Sequence, residues 1–91
     1  GEKKMKIKKG FIIRKVGDEN IVVPVGEASK NFHGMVKLNE SGAFLWKFFT
    51  ENHTEEEAVD ALLSEYDVEK DVAARDVKGF VEVLTKNSFA E

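Results

Sequence analysis

Around Asn39 the spacing of apolar residues changes from two to between three and four, and this change divides the chain into a strand half and a helix half. Before it, FIIRKV (11–16), IVVPV (21–25) and MVKL (35–38) are short runs rich in β-branched or apolar residues. GDEN between the first two is turn chemistry, so these runs are expected to form a hairpin. Pro24 has no N–H to give a ladder, which places the second strand at an edge of the sheet or makes it bulged there. Residues 26–34 form a polar loop, and MVKL is the third strand.

After the change, Asn39 is a good N-cap, and Phe44, Leu45, Phe48 and Phe49 recur at helical spacing, predicting helix one over about residues 40–51. Thr54 with Glu57 three residues later is a capping box, reinforced by Glu55 and Glu56 at the positive end of the helix dipole. Ala58, Val59, Leu62, Leu63 and Tyr66 then form the stripe of helix two, about 55–66. Ala73, Val77, Phe80 and Leu84 do the same for helix three, about 70–86, with Asn87 as a left-handed C-cap and SFAE as a brief returning strand. The expected class is therefore α+β: a winged helix-turn-helix outline, with a three-stranded antiparallel sheet followed by three helices.

A chain of 91 residues makes one domain and leaves little volume for a deep catalytic pocket beside its core. Cysteine is absent, which excludes disulfides, thiolate metal sites and cysteine nucleophiles, and fits a reducing cytoplasm. No apolar run approaches the roughly 20 residues of a membrane span. The two histidines, His33 and His53, have no ligand-type partner at helical spacing, Ser41 has no evident base, and the glycines show no phosphate-cradling spacing. Neither catalysis nor a bound metal or cofactor is expected.

A winged outline also suits DNA, but charge speaks against it. Residues 1–50 carry ten Lys/Arg against five Asp/Glu, and residues 51–91 carry four against twelve. Helix two has five acids and no base, and helix three is close to neutral, whereas phosphate neutralisation needs a cationic docking face. The Lys3, Lys4, Lys6, Lys8 and Lys9 cluster falls within residues 1–9, expected as a flexible basic terminus in which Gly1 is an expression scar.

In order along the chain, a strand, L-N-E-S-G-A-F-L-W, T-E-E-E, A-L-L-S-E-Y-D-V and R-D-V-K-G-F-V-E-V-L resemble the coenzyme PQQ synthesis protein D family. The likeness spans roughly residues 10–91, with Leu38, Asn39, Gly42 and Trp46 at the positions of the family's best-marked signature. It implies a PqqD-like winged-helix peptide-recognition domain. Such a domain holds the leader segment of a ribosomally synthesised precursor peptide and presents it to a modifying enzyme, often a radical S-adenosylmethionine enzyme. The resemblance also implies that the leader adds as a strand to the edge of the third strand and lies against the third helix. That places the site at His33 to Leu38 and on one flank of helix three.

The residues agree in kind with that placement. An exposed edge offers main-chain hydrogen bonds, and side chains entering pockets supply specificity. On the third strand the candidates are Met35 or Val36, whichever faces outward, with Lys37 and Leu38; Val36 is expected to present an outward N–H. On helix three the apolar arc is wide enough for two contacts, a core side at Val77, Phe80 and Leu84 and a groove side at Val72, Asp76, Gly79 and Val83. Lys37 and Arg75 would pair with acidic residues of a leader. Gly79 in mid-helix is explained by close approach of another backbone. A DNA-binding regulator and a scaffold that contacts only the enzyme remain the alternatives.

Overall fold

The computed structural model describes residues 3–30 and 34–91. Among the described residues five strands and three helices follow in the order β1 Lys4–Met5, β2 Phe11–Val16, β3 Glu19–Pro24, β4 Val36–Leu38, α1 Glu40–Phe48, β5 His53–Thr54, α2 Glu55–Glu65 and α3 Lys70–Lys86. A short 3-10 turn, Gly26–Lys30, lies between β3 and β4. β2, β3 and β4 form an antiparallel sheet in that order, and β1 pairs with β5 in a second, two-stranded sheet. The α+β architecture is the one the change of period at Asn39 predicts. His33 and Gly1 lie outside the described residues.

β2 and β3 pair from Phe11 with Pro24 to Val16 with Glu19, so the turn is only Gly17 and Asp18 and β3 starts two residues before the expected 21. Gly17 has φ 63°, the left-handed conformation that a tight hairpin turn needs and glycine adopts most cheaply. The expectation that Pro24 marks an edge or a bulge is corrected, because β3 is the central strand. Hydrogen-bonded pairs in this hairpin fall at Val16 with Glu19 and at every second pair from there. Val25 N–H donating to the Gly10 carbonyl at 2.8 Å continues the series. Pro24 therefore turns its missing N–H towards β4, but β4 reaches only as far as Val22, so no ladder bond is lost there.

The expected free terminus is also corrected. Lys4 pairs with Thr54 and Met5 with His53, and Ile7 is buried. Ile7 N–H donates to the Phe49 carbonyl, Lys8 N–H to that of Phe89 and Glu91 N–H to that of Lys6, each at 2.8 Å. The physical reason is visible in Lys4-Met5-Lys6-Ile7-Lys8: apolar residues alternate with lysines, a period-two strand pattern carried under a high charge. The end of SFAE does return as a strand-like bridge, Ala90 opposite Ile7.

The helices are capped largely as their sequences require. Asn39 Oδ1 accepts from Gly42 N–H at 2.8 Å, and Thr54 and Glu57 exchange the two bonds of a capping box at 3.0 and 2.9 Å. Helix one ends at Phe48, three residues short of expectation, because Phe49 leaves helical geometry to enter the core. At the end of α3 the left-handed residue is Ser88, φ 56°, and not Asn87. Asn87 uses its side-chain amide to donate to the Val83 carbonyl instead, at 2.9 Å. Phe89 N–H reaches back to the Leu84 carbonyl at 2.9 Å and Ser88 N–H to that of Thr85 at 3.2 Å, the two bonds of a Schellman motif.

That motif delivers Phe89 to the centre of the molecule. Trp46, Phe49, Phe89, Leu45, Leu62, Leu84, Val22 and Val77 are the largest fully buried side chains. Phe89 meets Trp46 edge-on at 5.6 Å between ring centres, and Phe49 stacks on Phe80 at 5.9 Å. The aromatic run of α1 is thus core rather than a binding surface, and it props β4 and α3 against one another.

Candidate functional site

β4 is an edge of the sheet, and the register decides which of its groups are on offer. In β3 the odd-numbered residues bond to β2, so the even-numbered ones face β4. Asn20 pairs with Leu38 and Val22 with Val36, which turns the polar backbone groups of Val36 and Leu38 inward. Lys37 directs its own outward, and the same alternation carried one residue beyond the strand gives Met35 an outward edge as well. The expectation of an outward N–H at Val36 is corrected: the edge donors are one residue to either side.

Side chains alternate the other way. Val36 and Leu38 pack against the core, Met35 is exposed at 66%, and Lys37 lies on the outer face opposite Ile21. The Lys37 ammonium is held by Glu19 at 2.8 Å. That hydrogen bond, and secondarily the Glu19 charge, keeps it above the usual lysine range. Lys37 is therefore not a free cation, as the expectation of pairing with an acidic leader residue assumed.

Between β4 and α3 runs an open groove of about 440 Å³. One wall is Lys37 and Leu38, the floor is Asn39, Ser41 and Gly42, and the α3 wall is Arg75, Asp76, Gly79, Phe80 and Val83. Six of the nine residues singled out from the sequence thus share one groove. Met35, exposed just before β4, Val36, packed against the core, and Val72, half-buried one turn before Asp76, are not part of the lining.

Gly42 and Phe80 were not singled out as site residues. A Cβ at Gly42 would lie 3.0 Å from Asn39 Oδ1 and 3.2 Å from Leu38 Cβ, so the missing side chain is what lets the capped helix start so close behind β4. The signal was present in the Leu-Asn-x-Ser-Gly order, since a cap contiguous with a strand leaves no room over the first turn. Phe80 belongs to the buried side of α3 and also reaches the groove floor.

Arg75 is exposed on the rim, Asp76 is half-buried, and neither has an ion-pair partner among the described residues. Gly79 is the opposite case from Gly42. A Cβ there would meet no atom within 4 Å, so no internal backbone approach explains a residue that costs an interior helix about 1 kcal/mol. Ser41 Oγ donates to Asn39 Oδ1 at 3.1 Å, and among the described residues no histidine lines the groove. Among the described residues no three His, Asp or Glu side chains gather to hold a metal ion, and no helix is long and apolar enough to cross a membrane.

An open sheet edge beside a helix-walled groove, on three helices and a small antiparallel sheet, defines the class as a winged-helix domain shaped to take an extended segment. The chain belongs to the family of coenzyme PQQ synthesis protein D (PqqD), whose model matches residues 20–89. No curated protein matches it significantly. Among solved structures, TbiB1 in complex with the TbiA(beta) leader peptide is similar over 94% of both chains, with a TM-score of 0.70 and 24% identity. A lasso peptide synthetase B1 complexed with its leader peptide is similar over 96% of both chains, with a TM-score of 0.72 and 20% identity. The family model begins within β3, whereas these likenesses extend the shared fold to nearly the whole chain.

Proposed function

We propose that this domain is a non-catalytic module that binds the leader segment of a ribosomally synthesised precursor peptide. The leader adds as a strand to β4, with alternate side chains entering the groove against α3. The observation that carries the reading is the outward pair of backbone edges at Met35 and Lys37 directly beside that groove, in a fold shared with two proteins captured with leader peptides. The chemistry resides in a separate modifying enzyme, a radical S-adenosylmethionine enzyme in the family's usual arrangement, and the module works in the cytoplasm.

The test is calorimetry with the leader of the short precursor reading frame nearest the gene. Binding is expected to survive a rise from low to moderate salt, because strand addition rests on neutral backbone bonds. DNA binding would fall by orders of magnitude over the same range. Lys37→Pro deletes an outward donor and puts a ring where the leader backbone must lie. It is expected to weaken binding at least about tenfold, since one hydrogen bond is worth about 1 kcal/mol net before the clash is counted. Unchanged affinity in that variant would refute addition at β4.

A further inference from the structure

Gly79 is the tenth residue of a helix of 17, in a position where glycine is among the poorest choices. Its backbone is helical, and a Cβ would stand in open space, so neither a turn nor a neighbouring element demands it. The missing side chain instead widens the groove at one point on its α3 wall. One step along the same wall is Asp76, half-buried and without an ion-pair or side-chain hydrogen-bond partner among the described residues. One turn in the other direction is Val83, with Phe80 behind.

We propose that Asp76 and Gly79 form a subsite for a long basic side chain, lysine or arginine, of the bound peptide; this rests on the leader-binding reading. The stem lies across the bare backbone at Gly79 and against Phe80 and Val83, and the cationic head meets the Asp76 carboxylate. Lysine and arginine do this routinely, covering apolar surface with the stem while the charge seeks a polar partner. The two residues are three apart on the helix, about 4.5 Å of rise, which is within reach of such a stem. A carboxylate partly withdrawn from water is best compensated by a cation. Among the described residues the nearby cations do not supply it: Lys37 is held by Glu19 on the outer face of the sheet, and Arg75 stands exposed on the rim.

The test uses a displayed library of random 12-residue peptides selected on the intact protein. Amide resonances of Met35 and Lys37 report whether a selected peptide sits on β4. Peptides that perturb them are expected to carry a lysine or arginine at one shared position. Replacing that residue by methionine should weaken binding about tenfold to wild type but not to Asp76→Asn. Gly79→Leu should bind the parent peptide at least tenfold more weakly, while Gly79→Ala raises the melting temperature of the free protein by about 4 °C, the gain expected for removing an unneeded helix glycine. Peptides that occupy β4 without a shared basic residue, or bind Gly79→Leu as tightly as wild type, would overturn the subsite and leave the strand-addition reading standing. If no selected peptide perturbs Met35 and Lys37, both fail together.

Discussion

Ser88 holds φ 56° with a Cβ, a conformation that favours glycine, because the Schellman motif has to turn the chain there to seat Phe89 between Trp46 and Phe11. Ser88→Gly is therefore expected to stabilise the domain by up to about 1 kcal/mol, read as a higher denaturant midpoint with an unchanged slope. Thr54 and Glu57 work as a reciprocal pair at the start of α2, and Thr54→Ala should cost about 1 kcal/mol by the same measurement. The Glu57 carboxylate accepts the Thr54 backbone N–H, and with the help of His53 this holds its pKa below the usual carboxylate range. A carboxylate whose pKa is lowered by folding contributes stability that is full above its unfolded value and is lost as pH falls through the folded one. Melting curves should accordingly show a shallower decline below about pH 4.3 for Glu57→Gln, which keeps an acceptor for Thr54 but no charge. These end signals were mostly legible in the sequence, since a cap is made by neighbours along the chain. The exception, Ser88 in place of Asn87, arises because the Asn87 amide is taken up by the Val83 carbonyl.

At the scale of the element, β4 shows how little a strand's identity says about its role. Its three residues were legible as a strand, but which of them offers an N–H depends on the register with β3, and shifting that register by one residue would exchange the inward and outward sets. The register makes a pair of proline variants diagnostic. Val36→Pro removes an inward donor to β3 and its ladder bond, and is expected to destabilise the folded protein by about 2 kcal/mol or more. Lys37→Pro leaves the β3 ladder intact, so its melting temperature should stay well above that of Val36→Pro while its peptide binding is the weaker. Equal melting temperatures for the two would mean the strand faces the other way. α3 was legible end to end, and its heptad-like stripe buries Ala73, Val77, Phe80 and Leu84 as the spacing requires. Its second face was visible as an apolar excess, but the sequence could not show that Val72 stops short of the groove.

The fold is closed by two segments far apart in sequence, residues 6–8 and 89–91. Ile7 and Phe89 come from opposite ends of the chain and both enter the core, tied by backbone bonds between residues 6–8 and 89–91. Ile7→Ala is expected to cost about 2–5 kcal/mol, measured by chemical unfolding, because it opens a cavity where the surroundings are pinned by α1 and the chain end. A stability equal to wild type would mean that the first residues lie free of the domain.

Sequence alone determined the order of the elements, the break from strands to helices at Asn39, the caps of α1 and α2, the buried stripes of α2 and α3, and the family likeness. All of these depend on residues a few positions apart, whose periodicity and capping are written into the chain itself. The three-dimensional structure decided the central place of β3, the burial of Ile7 and Phe89, the engagement of Lys37 by Glu19, the outward edges at Met35 and Lys37, and the groove that joins Leu38 to Gly79. Each of those depends on which distant segments pair and in what register. A one-residue change in register would reverse inside and outside with no change in composition or local propensity.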